Sequence, residues 1–307
     1  MLSEDPKGDR SLVKIQRSSV VSAVLLLMIL SLHAFAADDR ASLEQKLTEL
    51  YKGKTVMVRG SYCGSSLEFD GSGKVLGGNQ AGDWTICRDI RINDLKMADG
   101  HLQIRGRRVL WYFDTGQKGF REAPEIWPED RKKKEKKRYE EQMHSLEVSL
   151  RVEIPSGADQ AQIDSLLKNV FWPPDTAPVE TASSLWTCYF MRESKDCQVW
   201  KVLDTTQAEP VTVFRVGGDV KGPKAISTPE PDYSETARGW KLQAMNILNI
   251  IVDGEGMVRQ VAVARPAGLG LDSKAAEKIT MWKFAPATKA GVPVSVAMRV
   301  EVNFNLY

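Results

Sequence analysis

Apolar and polar residues alternate most cleanly at the end of the chain. Val294, Val296, Met298, Val300, Val302, Phe304 and Leu306 hold one face, and Ser295, Arg299, Glu301, Asn303 and Asn305 hold the other. A period of two is that of a half-buried β-strand. Just upstream, "MNILNIIVDGEGMVRQVAVARP" reads as a hairpin: Leu248, Ile250 and Val252 share a face, "DGEG" turns, and Val261 and Val263 return. "LDSKAAEKITMWKF" reads as a helix with Asp272 or Ser273 as N-cap and Ala275, Ile279 and Trp282 on its buried side. A short helical stretch, "SETARGWKLQA", precedes them. The C-terminal segment is therefore strand–strand–helix–strand, in which one helix covers one face of a small sheet.

The first half is β-rich. "SLEQKLTELYKG" sets Leu43, Leu47, Leu50 and Tyr51 on one helical stripe, with Gly53 as a C-terminal stop. Short strands follow in "TVMVRGSY", the hairpin "SLEFDGSGKVLGG", "RDIRINDLKM" and "HLQIRGRRVLWYF", with Asp70-Gly71 and Asp99-Gly100 as turn signals. "HSLEVSLRVEI" alternates through Leu146, Val148, Leu150, Val152 and Ile154. Ile163, Leu166, Leu167, Val170 and Phe171 then recur at helical spacing until Pro173 and Pro174. Between these blocks the charge run 129–142 allows the ion pairs Glu129–Lys133, Asp130–Lys134 and Lys137–Glu141, and reads as a solvated connector. The stretch 206–228, rich in Pro and Gly, reads as a linker containing a short strand at Val211–Val216.

Composition adds a compartment. Lys14 and Arg17 precede an apolar run from Val20 to Leu32, and Ala34 and Ala36 supply an A-x-A cleavage signal. This is the order of a secretory signal peptide, cleaved after Ala36. The alternative is an uncleaved anchor over residues 20–37, borderline for the ~20 apolar residues a spanning helix needs. Either way the rest of the chain lies on the same, exported side of the membrane. The four cysteines, Cys63, Cys87, Cys188 and Cys197, all follow the signal. In an oxidising compartment they are expected as Cys63–Cys87 and Cys188–Cys197, although sequence alone permits two other pairings.

Candidate chemistry is sparse. No cysteine forms a C-x-x-C pair, and His101 and His144 are the only histidines after the signal, so no metal site is expected. "GKT" at Gly53–Thr55 and "GSGK" at Gly71–Lys74 lack phosphate-loop spacing and read as turns. No G-x-S-x-G elbow offers a nucleophile, and the tryptophans Trp84, Trp111, Trp172 and Trp282 read as packing residues. The net charge of +2 carries no basic stripe, which excludes nucleic acid as an expected partner. The expectation is a protein that is not an enzyme and holds no cofactor.

The segment from about residue 226 to 307 resembles the C-terminal domain of TonB-family energy transducers. The resemblance rests on "PEPDYSETAR", "VDGEGMVRQVAV", "GLGLDSKAAEKITMWKFAPATKAGVPV" and "VEVNFNLY". Pro231, Tyr233, Asp253, Gly256, Leu271, Asp272, Trp282, Phe284, Pro286, Ala287, Gly291, Pro293 and Val294 match the family pattern in order. Ser234 stands where the family has a proline, Ala244 where it has a glycine, and Lys283 where it has an arginine. The resemblance implies a periplasmic domain that docks outer-membrane receptors, its last strand taking up a receptor peptide by β-strand addition. It implies partner-binding residues Glu230, Pro231, Tyr233, Arg299, Glu301, Val302 and Asn303. The charges Arg299 and Glu301 are also what natural sheet edges carry to prevent aggregation. The N-terminal region resembles no family. It has neither the long Pro-rich spacer of a transducer nor a serine four residues before His33, where Ile29 stands.

The expected fold class is α+β, a β-rich N-terminal domain followed by a small TonB-C-like β-β-α-β domain. The expected boundaries are a signal peptide or uncleaved anchor at 1–36, an N-terminal domain at 38–205, a linker at 206–228 and a TonB C-terminal-like domain at 229–307. The function expected is an exported cell-envelope binding protein whose partners are TonB-dependent outer-membrane receptors or other envelope proteins. The alternatives are a membrane-anchored TonB-type energy transducer, which requires that 20–37 stay uncleaved, and an envelope enzyme with its site in the N-terminal domain.

Overall fold

The computed structural model describes residues 40–98, 100–124, 137, 140–141, 143–176, 178–181, 183–191 and 212–306. The signal or anchor segment, Cys197, and the pairs Glu129–Lys133 and Asp130–Lys134 lie outside the described residues. Two compact units divide the chain, 1–51 and 52–307. In the first, α1 is formed over residues 40–51, with Leu50 half exposed.

The second unit begins with β1 (Thr55–Val58), β2 (Ser66–Phe69), β3 (Val75–Leu76), α2 (Trp84–Cys87), β4 (Asp89–Ala98) and β5 (His101–Arg108). Next come β6 (Trp111–Asp114), β7 (Gly119–Glu122), β8 (Glu147–Glu153), α3 (Gln160–Val170) and β9 (Phe171–Trp172). Helices α4 (Pro178–Thr181) and α5 (Ser184–Phe190) follow. One seven-stranded sheet takes the order β3-β2-β8-β5-β4-β1-β9. Only β2 and β8 run parallel. The alternation of β8 is realised, Val148, Leu150 and Val152 being buried. From α3, Ile163, Leu166, Leu167 and Val170 are buried too. A capping box starts α3: Asp159 accepts from the Gln162 N–H at 2.9 Å, and Gln162 accepts from the Asp159 N–H at 3.0 Å.

"HLQIRGRRVLWYF" is not one strand. The Val109 N–H donates to Asp89 O at 2.8 Å and Leu110 O accepts from Ala123 at 2.8 Å, so the chain leaves the sheet there. It continues as a separate hairpin of β6 and β7. Of the expected ion pairs in the charge run, Lys137–Glu141 is present at 3.8 Å.

The C-terminal part holds β10 (Val213–Arg215), β11 (Val220–Lys221), β12 (Lys224–Ser227), α6 (Glu235–Gly239), β13 (Ala244–Val252) and β14 (Val258–Arg265). After them come α7 (Leu271–Ile279), β15 (Lys283–Ala285), β16 (Ala287–Lys289) and β17 (Val292–Phe304). The sheet order is β11-β16-β17-β13-β14, with β10 parallel to β17. The fold is thus α+β and strand-rich, with the β-β-α-β core read from the sequence. Most of the 206–228 stretch is not a free connector. From Val213 to Ser227 its strands β10, β11 and β12 pair with β17, β16 and β15, where their main-chain groups find partners.

The two halves share a core. Trp84, Trp186 and Tyr189 are buried in one cluster with Leu248, Val263, Leu269 and Ile279. Trp84 meets Phe120 edge-on at 4.8 Å between ring centroids and Trp186 at 5.4 Å. The join is also a strand pairing: the Phe113 N–H donates to Ala267 O at 2.9 Å, and the Leu269 N–H to Trp111 O at 2.8 Å. Gly268, at φ 86, makes this possible, because a Cβ there would lie 2.6 Å from Trp111 O.

Both ends of α7 depart from expectation: it stops at Ile279, so Trp282 lies beyond it and is half-buried, and Lys283 begins β15. The N-cap of α7 is Gly270, and Asp272 sits inside the first turn, fully buried. The Asp272 carboxyl is used elsewhere: it accepts from the Ala267 N–H at 3.0 Å and the Gly268 N–H at 2.7 Å, pinning the loop that meets β6.

Candidate partner-binding edge

β17 is flanked on one side by β13 along its whole second half, in unbroken register from Val252↔Val296 to Ala244↔Phe304. On its other side β16 takes Val292–Val294 and β10 takes Ser295–Ala297. After β10 the chain turns away at Gly217 and Gly218, with φ of 127 and 59. From Met298 to Phe304, no described strand pairs with that second side.

Hydrogen-bond alternation shows which residues serve the open side. The Asp253 N–H donates to Met257 O at 2.9 Å, so the main-chain groups of Asp253 face β14. The two bulges of the β13–β14 pair place their extra residue on β14, so alternation along β13 is undisturbed. Val252, Ile250, Leu248, Asn246 and Ala244 therefore turn their main chains to β17. Their partners Val296, Met298, Val300, Val302 and Phe304 answer them. Arg299, Glu301 and Asn303 then direct N–H and C=O groups to the open edge.

Their side chains are exposed as well. Arg299 donates to Asn249 Oδ1 at 3.2 Å, and so lies across the outer face instead of along the edge. Val302 differs from the other expected contact residues: its side chain is buried in the core and its main chain is turned to β13. It supports the edge without presenting anything on it.

Tyr233 meets Phe304 edge-on at 5.3 Å, and its hydroxyl donates to Leu242 O at 3.2 Å, bracing the end of the strand. Partial burial raises the Tyr233 phenol above its ordinary value, and the Arg238 charge over the ring works against this. Ser234, in the family's proline position, caps α6 by accepting from the Ala237 N–H at 3.0 Å. Glu230 is exposed and Pro231 half-buried. The structure thus brings Tyr233 to the strand's end and Arg299, Glu301 and Asn303 to one edge.

Sequence reasoning missed a second cluster, where α2 meets the start of α7. Ser273 Oγ and Thr85 Oγ1 both donate to the Asp83 carboxylate, and Thr85 Oγ1 accepts from the Gly270 N–H at 3.0 Å. Asp272 lies in the same interior. Burial above all, and then the Asp83 charge, raise its carboxyl to about 7, against the pull of the Gly268 and Ala267 amides and of Asn246. The signal was present in Asp83 as a capping residue before Trp84, but a four-residue helix has no period to detect.

Of the disulfides, Cys63–Cys87 is formed, with 4.8 Å between Cα atoms. Cys188 is disulfide-bonded too, and Cys197 lies outside the described residues. Among the described residues no helix is long and apolar enough to cross a membrane.

Residues 229–306 match the model of the family described as Gram-negative bacterial TonB protein C-terminal. Among solved structures, the solution NMR structure of the Pseudomonas aeruginosa TonB CTD matches at 11% sequence identity, over 30% of this chain and 92% of that one, with a TM-score of 0.22. No curated protein matches the chain. The C-terminal domain of this chain, residues 229–306, is a TonB C-terminal-like domain.

Proposed function

We propose that this is an exported cell-envelope binding protein that docks an extended segment of a partner along the open edge of β17. The observation that carries this reading is the unpaired side of β17 from Met298 to Phe304, in a domain that matches the TonB C-terminal family. Strand addition supplies affinity through main-chain hydrogen bonds, and Arg299, Glu301 and Asn303 are the residues whose main chains face outward. The family match supports the periplasm as its place and TonB-dependent outer-membrane receptors or other envelope proteins as its partners. On this reading the chain binds and does not catalyse. A mature protein beginning at Ala37, read by intact mass, accords with export; an intact Met1 in the membrane fraction would instead favour the anchored transducer.

The test is a proline scan. Proline at Glu301 or Asn303 removes an outward donor, and edge strands tolerate proline whose missing N–H faces solvent. Each variant is titrated against a solubilised TonB-dependent receptor, with folding followed by circular dichroism. The expected result is folded variants that lose binding, and a parent whose Arg299, Glu301 and Asn303 amides become protected from exchange in the complex. Folded proline variants that bind as the parent does would overturn strand addition at this edge.

A further inference from the structure

α2 is tied at both ends. Towards the C-terminal domain, Asp83 accepts from Ser273, Thr85 accepts from Gly270, and the Ile86 side chain fills the space that a Cβ on Gly270 would take. At its other end, Cys87 is bonded to Cys63 of the loop after β1. The two cysteines are in unlike settings. Cys63 is exposed, whereas Cys87 is only 4% exposed.

Arg108 closes the arrangement. Its guanidinium donates to the carbonyls on either side of Cys63, Tyr62 O at 2.6 Å and Gly64 O at 2.8 Å, and to the carbonyl of Cys87 itself. Among the described residues it meets no carboxylate. Burial lowers it to about 10, so it is charged at neutral pH. A guanidinium held against both cysteine segments favours a thiolate leaving group there.

We propose that Cys63–Cys87 is a redox-addressable clasp, opened by a dithiol at the exposed Cys63 and holding α2 against the C-terminal domain while closed. The thiolate of the dithiol attacks Cys63 Sγ. The Cys63–Cys87 bond breaks, and Cys87 leaves as a thiolate, in the segment whose carbonyl Arg108 holds, and takes up a proton. The second thiol of the dithiol then attacks the mixed disulfide and releases Cys63. Two electrons and two protons pass to the protein, and the dithiol becomes a disulfide. With the clasp open, no covalent bond ties Cys87 to the loop after β1, and only the hydrogen bonds of Arg108 and of the Gly82 N–H to Ser61 O remain between them. The contacts of Thr85 and Ile86 with Gly270 then rest on a four-residue helix held to the loop after β1 by hydrogen bonds and no longer by a covalent bond. The loop that these contacts steady, from Ala267 to Gly270, is the one paired with β6.

The test uses the full mature chain in graded mixtures of reduced and oxidised dithiothreitol, without denaturant. Thiols are trapped and mapped by mass, and amide exchange is followed at Phe113 and Leu269, whose bonds join the two halves. Opening of the clasp in the native protein should speed exchange at both amides at least tenfold, while Ile104 at the centre of the first sheet is unchanged. The double variant Cys63→Ser/Cys87→Ser should show the same loss without reductant. If that variant fails to fold, the titration of the parent chain decides alone. Thr85→Val, which removes the acceptor of the Gly270 N–H and touches no cysteine, gives a further measurement. Because linkage is reciprocal, it should let a weaker reductant open the clasp. A bridge that stays closed until the chain unfolds, one that opens with Phe113 and Leu269 still protected, or an unshifted midpoint in Thr85→Val would each overturn the proposal.

Discussion

Replacing Asp272 by Asn should flatten the pH dependence of stability. The Asp272 carboxyl is fully buried, and burial together with Asp83 raises it to about 7 in the folded chain. In the unfolded chain it returns to about 3.9. The folded state therefore binds the proton more tightly. The stabilisation is complete below the unfolded value and is lost as pH rises through the folded value. At 1.36 kcal/mol per unit, a separation of about three units amounts to about 4 kcal/mol, lost between about pH 4 and 7. The surroundings suit a neutral group at that position. Asn246 Oδ1 is buried without a partner, and Asn246 lies 3.4 Å from Asp272 Oδ1. A protonated carboxyl, or the side-chain amide that Asp272→Asn introduces, can donate to that oxygen after rotation of the Asn246 amide. The other oxygen can keep accepting from the Gly268 N–H. Urea unfolding of parent and variant across pH 4 to 8 isolates the effect, because other carboxylates contribute equally to both. The parent should lose stability relative to the variant by about 4 kcal/mol over that range, with the midpoint lowered when Asp83 is also replaced by Asn. A difference that stays flat with pH would show that Asp272 keeps its charge on folding, and that the amides of Ala267 and Gly268 outweigh its burial.

Phe304→Asp buries an unpaired charge where the side chain is 2% exposed. It should prevent stable folding, whereas Asn303→Ala on the same strand should change stability by no more than about 0.5 kcal/mol in urea. Gly268→Ala should cost more than Gly291→Ala. Both glycines lie in the left-handed region, costing an alanine ~1–2 kcal/mol, but a Cβ on Gly291 meets nothing within 4 Å while one on Gly268 meets the β6 backbone. Equal losses in urea would mean that the β6 pairing yields freely. Peptide mapping without reductant should recover Cys63–Cys87, and a Cys63–Cys188 link would contradict the structure.

Local pattern determined much of this protein. Period-two alternation located β17, β13 and β8, and a period of 3.6 located α3 and α7, because those elements are long enough for burial on one face to write itself into the sequence. The ordered motif residues from Pro231 to Val294 likewise marked the C-terminal domain. What pattern could not carry was which edge meets which. Val213–Arg215 is too short to show a period, and only the packed chain places it beside Ser295–Ala297, leaving Met298–Phe304 open. Alternation gave the side chains of Arg299, Glu301 and Asn303, but their main-chain direction was decided by the hydrogen bond at Asp253 in the neighbouring hairpin. The join between the halves was hidden for a related reason. Trp84, Phe120 and Trp186 are far apart in sequence and meet only when both sheets are in place. Asp272 was read as a helix cap because it precedes a helical period. Its burial, and with it the use of its carboxyl to hold the loop at Gly268, is a property of the tertiary fold, since only the docked β6 strand and the Asp83 segment remove it from water.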